Sequence, residues 1–213
     1  MIRIKQNYKS STRIDGAVDS KTFLENFVLH GTALSTLDTL GKEVRNTSQR
    51  CFTLTGTYGT GKSTFALFMS LLLSDCKKDR DFAQKKLLAA DPSSSFVNEL
   101  GLKKGWRIVK HVCGLDSPSE GLANSILQSL ENSSAPSNKS DHDYIELIDT
   151  SLSNAAKSAD GVLILLDEMG KALDYQSREN KDLHFFQELA DTIEKSNTQV
   201  VLVGFLHQSF AEY

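Results

Sequence analysis

Eight consecutive residues, Gly56 to Ser63, have the types and spacing needed to bind a polyphosphate. They fit the pattern of glycine, any four residues, glycine, lysine, and serine or threonine. A loop that wraps a polyphosphate points its backbone N–H groups inward, and side chains at Gly56 and Gly61 would block that approach. Lys62 is predicted to bind the β- and γ-phosphates, and the Ser63 hydroxyl to bind Mg²⁺. The predicted nucleotide-binding residues are Gly56, Thr57, Tyr58, Gly59, Thr60, Gly61, Lys62, Ser63 and Thr64.

Two carboxylates, Asp167 and Glu168, follow an apolar run further along the chain. The run Val162–Leu166 contains no polar residue, which is typical of a strand in the centre of a parallel sheet. Asp167 is predicted to hold Mg²⁺ together with Ser63, through a water molecule. Glu168 is predicted to orient or deprotonate an attacking water. An acidic pair is also a good helix cap, and it is the phosphate-binding loop that favours the catalytic interpretation.

Apolar runs and turn signals predict that strands and helices alternate around these residues. The predicted strands are Cys51–Thr55, Trp106–Val112, Gly161–Leu166 and Gln199–Leu206. The predicted helices are Thr22–Val44 (with a break near Gly31 as the alternative), Lys62–Ser74, Ser119–Leu130, Tyr144–Lys157 and Leu183–Ser196. This alternation predicts an α/β fold, a three-layer sandwich around a mainly parallel sheet. Because ligands of such sheets bind where the strands end, we expect the loop and Asp167 to meet at one edge.

The chain is interpreted as an N-terminal extension, residues 1–20, followed by one nucleotide-binding core, residues 21–213. Segment 131–141 contains almost no apolar residue and is predicted to be a mobile loop. Stretch 174–182 is also polar and is predicted to be a solvated loop.

Three side chains near these motifs have two interpretations each. Arg178 is favoured as part of a solvated loop, with an arginine finger that reaches a neighbouring subunit as the alternative. Lys171 is favoured as a surface lysine, with a phosphate contact as the alternative. Tyr58, at the crown of the loop, is favoured as an exposed side chain, with a contact to the ribose or to a partner as the alternative.

Composition excludes several classes of protein. The 213 residues carry a formal net charge of −3, which gives no indication of a nucleic-acid surface or of binding to an anionic membrane. The N-terminus lacks the apolar segment of a signal peptide, and no apolar run approaches the length of a bilayer span. The three cysteines are widely spaced, which favours reduced thiols over disulfides or a metal site. We therefore expect a cytoplasmic protein.

The additional strand predicted between the loop and the acidic pair, together with Glu168, resembles one division of the P-loop ATPases. This division has an additional strand and a catalytic glutamate, and it includes the AAA+, STAND, RecA-like and ABC proteins. Three further stretches resemble the ATPase module of large bacterial AAA+/STAND-like proteins, some of them from phage-defence systems. They are Asp167–Leu173, Phe185–Ala190 and Leu206–Tyr213. The resemblance covers roughly residues 20–213.

The resemblance implies two further features. In such proteins a polar residue after the next strand senses the γ-phosphate, and here that residue is His207 or Gln208, with an ordinary surface turn as the alternative. A complete module also has a fifth strand and a helical lid, whereas this sequence ends in mid-helix. We therefore expect a piece of a longer protein, with a P-loop NTPase fold truncated before the last strand and the lid.

The nucleotide is predicted to be ATP. Asp167–Gly170 fits a D-x-x-G motif and Asn138–Asp141 fits N-K-x-D, as in GTPases, but their order is reversed and the second lies in a polar loop. The predicted function is ATP binding and hydrolysis that drives or gates conformational change in a larger protein, and the resemblance implies phage defence as one setting. The alternative is a nucleotide-gated oligomerisation module with negligible hydrolysis. The expected partners are ATP with Mg²⁺ and a homo-oligomer or larger complex; this segment gives no indication of nucleic acid, and no membrane is expected. A third, weaker alternative is a DNA-translocating or DNA-loading ATPase whose basic surface lies in other domains.

Overall fold

The structure, a computed structural model, describes residues 13–16, 18–178, 184–196 and 198–208. Most of the predicted N-terminal extension lies outside these ranges. So do the end of the predicted loop at 174–182 and the end of the resembling stretch at 206–213.

Within the described residues, four parallel strands form one sheet in the order β1-β4-β3-β2. The strands are β1 (Cys51–Thr55), β2 (Trp106–Val112), β3 (Gly161–Asp167) and β4 (Val200–Leu206). The two central strands, β3 and β4, are buried along their whole length. Burial on both faces explains why their sequences are unbroken apolar runs. The predicted bounds of β1 and β2 are confirmed, and those of β3 and β4 differ by one residue each.

Helices cover both faces of this sheet, which confirms the α/β class and its three layers. They are α1 (Ser20–Asn26), α2 (Gly31–Asn46), α3 (Lys62–Leu73), α4 (Lys77–Ala90), α5 (Phe96–Glu99), α6 (Pro118–Glu131), α7 (Asp141–Ala156), α8 (Met169–Arg178) and α9 (His184–Lys195). One hydrophobic core contains residues of α1 to α5, and a second contains residues of α6 to α9. Successive side chains of β3 alternate between them, since Leu163 joins the first core and Ile164 the second.

Two predicted helices differ from the structure by more than one residue at an end, and the other three differ by one residue. The stretch predicted as one helix over 22–44 is two helices, α1 and α2, and the chain leaves the helical conformation at Phe27. The alternative of a break near Gly31 is therefore the correct one. Helix α7 begins at Asp141, three residues before its predicted start, because Ser140 and Asp143 form a reciprocal capping box there.

Helix α8 corrects the prediction of a solvated loop from Asp174. The described part of that stretch, up to Arg178, is helical, and Arg178 is exposed in the last turn. The helix buries Met169, Gly170, Ala172, Leu173 and Gln176, most of them at a spacing of three and four residues. Within the described part of the predicted loop the one buried position is the polar Gln176, which is why the polar composition misled the prediction.

Of the loop predicted over 131–141, residues 132–140 lie outside the helices, and hydrogen bonds to the adjoining helices anchor them. The Ala135 amide donates to Asn124 Oδ1 (2.8 Å), and the Tyr144 hydroxyl donates to the carbonyl of Pro136 (2.9 Å). Its mobility stays a prediction. Among the described residues, no helix has the length and apolarity to cross a membrane.

Asp160 fixes the start of the two neighbouring strands β2 and β3. One of its oxygens, Oδ2, accepts hydrogen bonds from the backbone amides of Lys103 (2.5 Å), Lys104 (2.6 Å) and Gly105 (2.7 Å). Burial acts to raise the pKa of Asp160, but these bonds together hold it below its ordinary value. The ionised form is therefore the one that the fold stabilises.

We expect Asp160→Ala to lower the free energy of unfolding by about 1–3 kcal/mol, because three amides lose a charged acceptor. Since the folded pKa lies below the unfolded one, this stabilisation is present above the unfolded pKa, near pH 4, and is lost as the pH falls through the folded pKa. Urea denaturation at pH 7 and at pH 3 measures both effects. The control is Asp191→Ala, an exposed carboxylate paired with Lys195. This account is contradicted if both variants lose the same free energy of unfolding at pH 7. It is also contradicted if the difference between Asp160→Ala and the wild type does not become smaller at pH 3.

Candidate functional site

The predicted site residues lie where adjacent strands end. The glycine loop, defined as Gly56–Gly61, connects β1 to α3, Asp167 ends β3, and His207 follows β4. The amide of Gly56 donates to the carbonyl of Leu206 (3.1 Å), so the loop begins against the end of β4. The structure thus brings the loop, the acidic pair and one sensor candidate to the same sheet edge, as expected from parallel strands.

The backbone of the glycine loop takes conformations that require glycine. Gly59 and Gly61 have φ angles of +80° and +87°, where other residues are strained. Gly61 also precedes the first turn of α3 as its N-cap and offers no side chain to its amides. Those free N–H groups and the helix dipole favour an anion at this position. A continuous buried stretch, Phe65–Ser70, anchors the helix that follows.

Lys62 turns its ammonium group into the glycine loop. Its Nζ donates to the carbonyl of Thr57 (2.9 Å) and to that of Gly56. Burial lowers the pKa of Lys62, and the charges of Asp167 and Glu168 oppose that effect. The ammonium group is therefore hydrogen-bonded to carbonyl oxygens of the loop. Phosphate oxygens carry more charge than carbonyl oxygens and can replace them as acceptors.

The acidic pair turns sharply between β3 and α8. Asp167 is only 4% exposed, and its Oδ1 accepts a hydrogen bond from the amide of Glu168 (3.0 Å). Glu168 has a φ of +55°, in the left-handed region that non-glycine residues seldom adopt. This turn separates the two carboxylates, so that one is buried at the strand end and the other is partly exposed.

Of the two sensor candidates, His207 contacts the glycine loop. Its ring stacks on Tyr58 with centroids 3.7 Å apart and planes 18° apart. Both ring nitrogens are buried, and neither has a hydrogen-bond partner among the described residues. Burial lowers the pKa of His207, and so does the charge of Lys62, while Glu168 and Asp167 act in the opposite direction. The imidazole is therefore neutral at pH 7. Gln208, by contrast, is exposed.

Two charged groups that sequence reasoning did not assign to the site accompany Glu168. Lys171 forms an ion pair with Glu168, so the favoured interpretation as a plain surface lysine misses its partner. Arg13 has its pKa raised mainly by a hydrogen bond to Asp15 and further by the charge of Glu168. The spacing of three residues between Glu168 and Lys171 was the signal for the first contact. No sequence signal connects Arg13 with the site.

Tyr58 is exposed, as predicted, and its stack on His207 was not foreseen. The side chain is 75% exposed, and Lys62 Nζ lies 5.9 Å from its ring centroid. The ring therefore covers His207 and Lys62 from the solvent side.

The residues present are compatible with a magnesium–phosphate group. Ser63 lies in the first turn of α3 and Asp167 is buried at the end of β3. In the described part of the chain, no cluster of three or more His, Cys, Asp or Glu side chains has the arrangement to hold a metal ion by itself. A Mg²⁺ that takes most of its ligands from phosphate and water needs no such cluster. The two unpartnered nitrogens of His207 further indicate a ligand that carries acceptors or donors.

A separate cavity of about 640 Å³ lies along the outer side of β1, between α2 and α9. It is lined mainly by apolar side chains such as Leu40, Phe52 and Phe186. None of the glycine-loop residues lines it.

Comparison with protein-family models gives no match, and no curated protein matches the chain. The resemblance to AAA+/STAND-like ATPases therefore stays a prediction.

The histidine titrations test the electrostatics of the site. We expect His207 to titrate below the ordinary histidine range, and Lys62→Met to raise its pKa, because burial and the ammonium group both disfavour imidazolium. His142 is the internal control, since a hydrogen bond to Glu188 raises its pKa. Proton NMR of the imidazole rings against pH measures both. If the pKa of His207 equals or exceeds that of His142, or if Lys62→Met leaves the pKa of His207 unchanged, the described environment of His207 is wrong.

Proposed function

We propose that this chain binds ATP with Mg²⁺ on the glycine loop and hydrolyses it. Hydrolysis would drive or gate a conformational change in a larger protein. The observation that supports the proposal most is the convergence of Lys62, Asp167, Glu168 and His207 at one sheet edge, beside a loop whose backbone requires glycine. Each of these side chains has a separate use in phosphoryl transfer, and no structural need of the fold explains their combination.

The glycine loop and the first turn of α3 would bind the phosphates through backbone N–H groups. Lys62 would exchange its two carbonyl acceptors for phosphate oxygens. Ser63 and Asp167 would hold the magnesium ion, which when bound neutralises phosphate charge. Asp167 suits this role because its position at the end of a fully buried strand fixes it, so little ordering is required on binding.

Glu168 would orient the attacking water and accept its proton. His207 would donate its single ring N–H to the γ-phosphate, because the neutral imidazole carries one donor and lacks any protein acceptor among the described residues. Tyr58, at the crown of the loop, stacks on that ring. A phosphate that binds to His207 would therefore also affect the position of Tyr58.

ATP is favoured over GTP because Asp141, the carboxylate of the N-K-x-D motif, is engaged elsewhere. Ser140 and Asp143 cap α7, and Asp141 accepts a hydrogen bond from the Ser119 hydroxyl (2.5 Å). These groups therefore have structural partners, and the motif precedes a helix instead of ending a strand.

A nucleotide-gated oligomerisation module with negligible hydrolysis is the second candidate. The observation that favours it is the ion pair of Glu168 with Lys171, which occupies the carboxylate needed as a base. The two candidates share the binding site and differ in turnover.

Binding is tested by calorimetric titration with Mg-ATP and Mg-GTP. We expect the wild type to bind Mg-ATP in preference to Mg-GTP, and Lys62→Ala to weaken ATP binding by about 10- to 100-fold, since a charge-assisted contact is lost. Lys42→Ala, which removes an exposed lysine of α2, is the matched control. Equal affinities for ATP in Lys62→Ala and Lys42→Ala would remove the basis for the proposal.

Turnover is tested with Glu168→Gln, which keeps the shape and removes the charge. We expect phosphate release to fall about 100-fold or more while Mg-ATP binding is not weakened, because a general base contributes about that factor. Glu146→Gln, at an exposed glutamate of α7, is the control. Phosphate release that is negligible in the wild type and unchanged in Glu168→Gln selects the oligomerisation module instead.

A further inference from the structure

Lys171 and Glu168 form a local pair that spans the first turn of α8. The Lys171 ammonium group contacts Glu168 Oε2, and the Lys171 amide donates to the Glu168 carbonyl (2.9 Å). The pair is partly open to solvent, with side-chain exposures of 47% for Lys171 and 31% for Glu168. An exposed ion pair contributes little net stability, so a competing anion can separate it at small cost.

Lys171 lies on the helix that follows β3, at the sheet edge where the glycine loop also lies. The hydrogen bond to Glu168 raises the pKa of Lys171. Lys171 in turn is one of the groups that lower the pKa of His207. Lys171 is a long, half-exposed side chain on α8, the helix that leaves the same sheet edge as the glycine loop, so it can turn from Glu168 toward that loop.

A paired carboxylate is a poor general base, because the ammonium group occupies the lone pairs that a water would approach. A terminal phosphate carries more charge than a carboxylate and attracts an ammonium group more strongly. A triphosphate on the glycine loop therefore competes with Glu168 for Lys171, whereas a diphosphate lacks the terminal group that competes.

We propose that Lys171 exchanges Glu168 for the γ-phosphate when a nucleoside triphosphate binds. One movement then frees the carboxylate to accept a proton from water and adds a second cation, beside Lys62, to the terminal phosphate. Lys171 is thus a γ-phosphate-binding residue and a positioning residue for Glu168. This inference rests on the proposed function, and it explains how a base that is paired without nucleotide becomes available with it.

The test compares affinities for Mg-ADP and for a non-hydrolysable Mg-ATP analogue by calorimetry. We expect Lys171→Met to lower the affinity for the triphosphate analogue about 10-fold and to change the affinity for Mg-ADP by no more than about 2-fold, since only the γ-phosphate contact is lost. Lys171→Arg should restore most of the difference. Lys195→Met, which removes an exposed helical lysine paired with Asp191, is the matched control and should change neither affinity.

Glu168→Gln supplies a second readout. It releases Lys171 from its partner, so we expect it to strengthen triphosphate binding several-fold without strengthening diphosphate binding. In the Lys171→Met, Glu168→Gln double variant this gain should disappear, since no ammonium group is left to be released. Thermal denaturation verifies that each variant is folded, and the triphosphate-to-diphosphate ratio is taken within each variant.

The outcomes separate this inference from the proposal on which it rests. If the wild type binds the triphosphate and Lys62→Ala does not, but Lys171→Met keeps the wild-type ratio, Lys171 does not read the γ-phosphate and only this inference is overturned. An equal loss of both affinities in Lys171→Met also overturns it, because that result indicates a structural role. If the wild type and Lys62→Ala bind neither nucleotide, the proposed function fails and this inference fails with it.

Discussion

Parallel pairing of β4 with both β1 and β3 is the constraint on which the candidate site depends. Because the strands run in one direction, the residues that follow them leave the sheet at one edge. The burial of β3 and β4 on both faces fixes these strands, so that Asp167 and His207 begin from rigid positions. The hydrogen bond from Gly56 to Leu206 then brings the glycine loop to the same place.

Charge balance governs the chemistry at that edge. Two carboxylates and two lysines lie there, and each lysine already has acceptors, Lys62 in the loop carbonyls and Lys171 in Glu168. Without nucleotide, protein oxygens thus make the contacts to Lys62 and Lys171 that the oxygens of a bound polyphosphate would make. Binding at such a site is an exchange of partners, and its free energy is a difference between two well-solvated arrangements.

Sequence reasoning predicted the sheet well and the side-chain contacts poorly, for physical reasons. Apolar runs bounded by glycine and polar residues indicate buried strands, and β1 and β2 were predicted to the residue. Helix α8 was missed because it buries only a narrow stripe on one face. The stack of Tyr58 on His207 joins residues far apart in the chain, and it exists only because β1 pairs with β4. No local pattern encodes such a contact.

The strand order also has a consequence for biosynthesis. Within the described residues β1 pairs only with β4, so the first strand in the sequence cannot enter the sheet until the last one has been synthesised. A nascent chain that has not yet released β4 from the ribosome lacks both the neighbour of β1 and the carbonyl that Gly56 contacts. The contact between β1 and β4 closes a long stretch of chain, which costs conformational entropy and slows its formation. The glycine loop therefore matures after nearly all of this sequence has been synthesised, and truncated translation products lack a formed loop.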